Sequence, residues 1–271
     1  MNLLVLTNDK DEAAGFEDYV EDVERHSLAD IGIETGETAD VEVEGTPLEE
    51  YDSVYLDPEP KAAIYARVLL ETIQEHRIPC NLNPTAFFIM AKKHYLFKVL
   101  TEKDIAIPST VAISTAKGLN NIEETIDFPA LVTTYEGFKE AERSLVNSTD
   151  EISSMVEYSE HGTHVTLVQE MEEEDIYDAL YLNGEVIALK LDRDNWPDGS
   201  ASNPQYHNLS TEQQEILEDT AQSIGTKICR VKLVGTTVLD VENRPELNYF
   251  EEKSGKNVYG RVSEVLRGDN D

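Results

Sequence analysis

Lys92-Lys93-His94-Tyr95-Leu96-Phe97-Lys98-Val99-Leu100-Thr101-Glu102-Lys103-Asp104-Ile105-Ala106-Ile107-Pro108-Ser109-Thr110 is the stretch from which the rest of the chain can be ordered. Tyr95, Leu96, Val99 and Leu100 recur at helical spacing, which predicts a helix over 92–103 with one apolar side, followed by the breakers Pro108 and Ser109. Just upstream, Asn83-Pro84 predicts a helical stretch running through Met90. Downstream the pattern changes to short strands, notably Ala130 to Thr133 and His164 to Gln169. Within Ile176 to Leu191 two strands flank Asn183-Gly184, a pair suited to the positive φ of a type I′ hairpin turn. Ser210 and Gln213 form a capping box that opens a helix expected to end at Gly225. Strands at Cys229 to Leu233 and Thr237 to Val241 and a closing helix at Val258 to Leu266 complete an α+β pattern.

Residues 1–82 read differently. Leu3 to Leu6, Ala39 to Val43, Ser53 to Leu56 and Ile78 to Leu82 are expected strands, and Phe16 to Arg25 an acidic helix. After Pro58 and Pro60, Lys61 to His76 places Ile64, Val68, Leu69 and Ile73 on one helical stripe. Strands alternating with helices predict a parallel sheet in a small α/β domain. It lacks GxGxxG, so nothing supports a dinucleotide role.

Composition narrows the partners. Of 271 residues, 55 are Asp or Glu and only 22 are Lys or Arg, a formal charge of −33. Binding nucleic acid or an anionic membrane needs clustered basic residues, so both are excluded as general partners. The carboxylates are spread from Asp9 to Asp271, and a dispersed acidic coat points to a high-salt cytoplasm, where screening relieves self-repulsion. The opening MNLLVLTND has no basic n-region and reads as a strand rather than a signal peptide, and no apolar run is long enough to span a membrane. Cys80 and Cys229 stand in apolar contexts and are expected as buried free thiols, which suits a reducing compartment.

Bottom-up signals for chemistry are sparse. G-x-S-x-G, a Walker loop and a Cys-His metal spacing are all absent. His161-Gly-Thr-His164 offers two imidazoles, an incomplete metal site that reads as a loop. In Val238-Leu-Asp-Val-Glu-Asn-Arg-Pro245, Asp240 and Glu242 share one face of a strand. Two such carboxylates can hold Mg²⁺ that bridges nucleotide phosphates; they can also be two surface acids in a chain full of acids.

The order of pieces from residue 83 to 261 resembles the ATP-grasp superfamily, nearest its RimK-like glutamate ligase branch. The family's helix carrying a lysine and leading to "GIPxP-T" is similar to Lys92 through Thr110, with Lys93 at the nucleotide-binding lysine. Its "P-hydrophobic-V-K-P" strand is similar to Phe128-Pro-Ala-Leu-Val-Thr-Thr134, and its "QEF" hinge to Val168-Gln169-Glu170-Met171. Its "DIR" hairpin is similar to Asp175 through Lys190, "LT.EE…A…G" to Leu209 through Gly225, and "LEVN..PG" to Leu239 through Glu246. The resemblance implies a fold of α/β and α+β parts: a pre-ATP-grasp α/β domain over 1–82, then a two-lobed ATP-grasp fold, first lobe 83–165 and second lobe 166–271. It implies Lys93, Gln169, Glu170, Met171 and Lys190 as nucleotide-binding residues and Asp240 and Glu242 as metal ligands, with ATP and Mg²⁺ as cofactors. A one-residue shift would offer Glu242 and Asn243 instead, though Pro245 favours the ungapped match.

Departures from the family's pattern bear on activity. The second nucleotide lysine and its proline are Thr133 and Thr134, the glycine-rich phosphate loop is reduced to Tyr135-Glu-Gly137-Phe, the acid leading the metal strand is Lys232, and the arginine of "DIR" is Tyr177. Phosphoryl transfer depends on positioned cations and backbone donors, so these losses imply a degenerate member that binds ATP and Mg²⁺ weakly or not at all and works through a protein partner such as an active paralogue. The alternatives are an ATP- and Mg-dependent carboxylate–amine ligase acting through an acylphosphate, and a purely structural or interaction subunit.

Overall fold

A computed structural model describes residues 1–35, 39–159, 164–171, 173–192 and 204–268. Along the chain run β1 (Asn2–Leu6), α1 (Lys10–Ala14), β2 (Asp22–His26), β3 (Gly32–Thr35), β4 (Ala39–Val43), β5 (Thr46–Pro47), β6 (Ser53–Leu56), α2 (Ala63–Glu75), α3 (Pro84–Ala91), α4 (Lys93–Glu102) and β7 (Thr110–Ile113). Then come β8 (Ala130–Glu136), β9 (Lys139–Val146), α5 (Thr149–Ser159), β10 (His164–Glu170), β11 (Ile176–Leu182), β12 (Glu185–Lys190), β13 (Gln205–His207), α6 (Thr211–Ile224), β14 (Ile228–Val234), β15 (Thr237–Glu242), α7 (Leu247–Ser254) and α8 (Val258–Arg267).

The first 82 residues hold a parallel sheet of order β2-β1-β6 and a separate antiparallel sheet β3-β4-β5. Several expectations fail here. Ala39–Val43 is a strand of the antiparallel sheet and not of the parallel one, and the buried face of α2 is Ala66, Leu69, Leu70 and Ile73, while Ile64 and Val68 of the expected stripe are exposed. The segment 16–25 is not a helix: α1 ends at Ala14, backbone turns carry Phe16 and Val20 inward, and β2 takes Asp22 to His26 into parallel pairing with β1. The two buried positions four residues apart imitated a helical stripe, and sheet pairing overrode it. Ile78 to Leu82 is not a strand beyond a single bridge, Val54 to Cys80. In its place the buried Asn81 amide accepts from Leu56 N at 2.7 Å and donates to Leu56 O at 3.0 Å, satisfying the edge of β6.

Two further sheets follow, β7-β10-β8-β9 and β13-β12-β11-β14-β15. Asn183 and Gly184 both have positive φ, as the type I′ turn requires, and the Ser210–Gln213 capping box and the left-handed Gly225 bound α6 as expected. Alternation along the strands divides the packing. One face of the five-stranded sheet, with Ala179, Val231 and Val241, shares a core with α2, α3, α4 and α6; the other, with Leu180 and Leu189, shares one with α7 and α8. Leu4 and Leu6 of β1 enter the first core and Leu3 and Val5 the second, so the amino-terminal sheet is built into the same apolar interior. The four-stranded sheet has its own core with α5, and Leu131 of β8 joins Ile176, Leu191, Val234 and Leu239 in a cluster between the two sheets. Cys80 and Cys229 are free; Cys229 is buried as expected whereas Cys80 is only half-buried, and desolvation pushes both thiols up to about 12, which keeps them protonated.

Candidate functional site

A cavity of about 150 Å³ lies where the three parts of the chain meet, lined among others by Pro58 and Glu59 after β6, Met90 and Lys93 from α3 and α4, Tyr135 from β8, and Asp240 and Glu242 from β15. Lys93 is the first residue of α4, which aims its side chain at the end of β15. Its Nζ donates to Asp240 Oδ1 at 2.5 Å and to the Val241 carbonyl at 2.6 Å. Asp240 Oδ1 also accepts from Val241 N at 2.8 Å, and Arg143 Nη2 stands 3.5 Å from Oδ2.

Glu242 is the centre of a second group. Lys232 Nζ donates to it at 2.7 Å and Arg230 Nη1 lies 3.5 Å away. Arg230 in turn donates from Nε and Nη2 to Asp178 at 2.8 and 2.6 Å, and from Nη1 approaches Glu246 at 2.7 Å. Burial alone would raise the Glu242 pKa, but the charges of Lys232, Arg230 and Lys93 prevail and hold the carboxyl well below its usual range. The strands explain the meeting: β14 and β15 are antiparallel neighbours with Arg230 opposite Glu242 and Lys232 opposite Asp240, so two cations and two carboxylates two residues apart face each other.

Arg143 has a similar origin. Thr133, on the face of β8 that also carries Leu131 and Tyr135, is directly opposite Arg143 on β9. Arg143 pairs with Glu140 at 2.7 Å as well as with Asp240, while its Nε is buried without a partner. Tyr135 and Glu136 end β8, and Gly137 and Phe138 make a tight hairpin turn into β9, with Gly137 at positive φ. Lys92 pins it, donating to the Gly137 carbonyl at 3.0 Å and lying 3.7 Å from the centre of the Phe138 ring.

Of the residues expected to form the site, Lys93, Asp240 and Glu242 line this cavity together. Gln169 is buried in β10, its amide 3.5 Å from the Thr110 hydroxyl, and Glu170 N donates to the Ser109 carbonyl at 3.0 Å. Met171 packs on the cluster of Leu131, Ile176, Leu191, Val234 and Leu239. Lys190 is exposed, with Nζ 2.5 Å from Asp175. The expected junction at 165/166 lies within β10, and His161 lies outside the described residues. Sequence reasoning missed Arg143, Arg230 and Asp178, and also Arg244, which clamps Asp57 from Nε and Nη2 at 2.7 and 2.9 Å. The signal for Arg230 was available: Arg230-Val-Lys232 and Asp240-Val-Glu242 are complementary at strand period on either side of a Gly235 turn.

The donor set does not fit a magnesium ion. Asp240 and Glu242 each face two basic side chains, the position that would supply a third acid is Lys232, and among the described residues no three His, Cys, Asp or Glu side chains come together as a metal site. Among the described residues no helix is long and apolar enough to cross a membrane.

No family model matches the chain, and no curated protein does. Solved structures do. A RimK domain ATP-grasp protein from Sphaerobacter thermophilus aligns with TM-score 0.76 at 15% identity, over 98% of this chain and 99% of that one. The ATP-grasp ligase PsnB complexed with a minimal precursor gives 0.76 at 13%, over 99% and 98%. The macrocyclase MdnC from Microcystis aeruginosa, bound with the precursor peptide MdnA, gives 0.73 at 11%, over 99% and 100%. Likeness of this extent over almost the whole of each chain shows the fold that the motif order implies: the chain has the ATP-grasp fold, of the kind seen in a RimK domain protein.

Proposed function

We propose that this chain is a degenerate RimK-like ATP-grasp protein that has weak or no affinity for ATP and Mg²⁺ and acts by holding a protein or peptide partner, such as an active paralogue, in a high-salt cytoplasm. In this reading the α/β part ends near residue 82 and the two grasp lobes follow, as 83–165 and 166–271. One observation carries it: the carboxylates at the expected metal position are already paired, Asp240 with Lys93 and Arg143, and Glu242 with Lys232 and Arg230. Structural neighbours crystallised with precursor peptides make a peptide partner the natural choice.

The test is calorimetric titration with ATP and Mg²⁺ in multimolar KCl, for the natural chain and for the double variant Thr133→Lys with Lys232→Asp. The expected result is no saturable heat for the natural chain and measurable binding for the variant. The second reading, a carboxylate–amine ligase using Lys93, Lys190, Asp240 and Glu242, rests on the convergence of Lys93, Asp240 and Glu242 in one cavity. Amide formation coupled to ATP hydrolysis by the natural chain would establish it and overturn the first.

A further inference from the structure

The amino-terminal sheet has its own cleft. In the order β2-β1-β6 the chain leaves β1 toward one side to form β2 and returns on the other side as β6, so the crevice beyond the carboxyl ends of β1 and β6 is a topological switch point, where open parallel sheets bind ligands. A cavity of about 350 Å³ lies there, at the lower end of the roughly 300–1,000 Å³ of small-molecule sites. Asn8 follows β1 and Asp57 follows β6, and both line it, as does Glu59.

The polar side of this cleft is organised. Ser27 donates from its hydroxyl to Asn8 Oδ1 at 2.6 Å, and Asn8 Nδ2 donates to Glu59 Oε1 at 2.6 Å, so a relay fixes the Glu59 carboxylate. Its other oxygen meets Lys61 Nζ at 2.6 Å, but the Lys61 side chain is 79% exposed and its stem can swing away. Each carboxylate oxygen has a second lone pair for a further donor. Asp57 behind it is held by Arg244 and by the Thr7 hydroxyl at 3.3 Å. Opposite stand Leu28, Ile31 and Tyr65, whose hydroxyl donates to the Ile31 carbonyl and so holds the ring in place as a wall. An acid fixed by direct hydrogen bonds beside an apolar wall selects one ligand chemistry.

We propose that this cleft is a second ligand site, separate from the central cavity, that takes a small organic ammonium carried on an apolar chain, with the ammonium on Glu59 in the place of Lys61. Glu59 also lines the central cavity, so the two sites share a wall. The proposal does not depend on whether the central cavity binds a nucleotide.

The test is calorimetric titration of the full chain in multimolar KCl with n-hexylammonium, with n-hexanoate and n-hexanol as charge controls, and with thermal unfolding of each variant as the check on folding. Saturable binding of hexylammonium is expected, with hexanoate at least tenfold weaker. Glu59→Gln should weaken hexylammonium about tenfold, the loss of one charge-assisted hydrogen bond. Lys61→Ala, which removes the competing cation, should tighten it severalfold, and Ala29→Trp, which fills the cleft from an exposed position, should abolish it. Hexanoate binding as well as hexylammonium, no saturable binding of the amine, or folded Glu59→Gln and Ala29→Trp variants that bind like the natural chain would each overturn the proposal.

Discussion

Asp178→Asn removes charge from the most deeply buried member of the ion-pair network. Asp178 is 1% exposed and accepts two bonds from Arg230, at 2.8 and 2.6 Å. The amide keeps one acceptor oxygen and turns a donor toward the guanidinium, so one charge-assisted bond is lost and the other becomes a bond to a neutral group. Bonds to charged groups contribute about 1.5–3 kcal/mol and neutral ones about 0.5–1.5. The lost bond then costs about 2 kcal/mol and the weakened one about 1, ~3 in all, at the low end of the range for breaking a buried pair. Glu246 at 2.7 Å and Glu242 at 3.5 Å remain beside Arg230, which keeps the cost from rising further. Equilibrium urea unfolding followed by far-ultraviolet circular dichroism, at two KCl concentrations, measures it. The loss should be nearly the same at both, because a buried pair is little screened. Asp175→Asn, which breaks the exposed pair with Lys190, should leave the midpoint unchanged in high salt. A loss for Asp178→Asn below about 0.5 kcal/mol, or one that salt removes, would show that the network does not carry the load assigned to it.

Lys232→Met tests the depressed Glu242. A carboxylate with a lowered folded pKa contributes stability above its unfolded value of about 4.3 and loses it as pH falls, so removing the lysine should flatten the acid limb of the stability profile; an unchanged limb would contradict this. Glu12 has the opposite sign. It is buried, accepts from the hydroxyls of Tyr55 at 2.7 Å and Tyr259 at 3.2 Å, and has no basic partner among the groups that shift it; burial raises its pKa. Stability from its protonated form is present below about pH 4 and lost as pH rises through the raised value, so Glu12→Gln should be more stable than the natural chain at neutral pH and equal to it in acid. Gly15→Ala would put a methyl group 2.3 Å from the buried Tyr259 ring and should cost about 1–3 kcal/mol by overpacking, read from the thermal midpoint.

Elements set by local chemistry were legible: the Asn183-Gly184 hairpin, the capped α6, and the helices α3 and α4, although α4 buries Leu96, Phe97 and Leu100 and leaves Tyr95 of the expected apolar side exposed. What failed was set at long range. The segment 16–25 carries apolar residues at helical spacing, yet β1 recruits its end as a strand, and the Asn81 amide does for β6 what a strand from 78–82 was expected to do. Exposed charge hid β9 and α5, because Lys139-Glu-Ala-Glu-Arg143 has no apolar periodicity and is ordered by pairing with β8. The cleft was half legible. Lys93, Asp240 and Glu242 came from motif order, whereas Arg143 becomes visible only through the register that sets it opposite Thr133.

That register bears on what the cleft can hold. Four cations, Lys93, Arg143, Arg230 and Lys232, meet five carboxylates, Glu140, Asp178, Asp240, Glu242 and Glu246, a local excess of one negative charge. A magnesium ion would turn that into an excess of one positive charge, and it demands about six oxygen ligands at roughly 2.0–2.1 Å, whereas Asp240 Oδ1 and Glu242 Oε1 each already accept from a lysine. A lysine ammonium neutralises one charge with three hydrogen bonds and has no vacant position for a phosphate oxygen to enter. Lys232 is the member whose exchange alters this balance most directly. Lys232→Asp removes one positive charge and adds one negative, a change of two units that equals the charge of one magnesium ion, and places the new carboxylate opposite Asp240 on the neighbouring strand. Lys232→Met shifts the balance by one unit and supplies no oxygen. The Asp variant should therefore bind Mg²⁺ measurably tighter than the Met variant, and equal affinities would refute the assignment of this difference to charge and ligand chemistry.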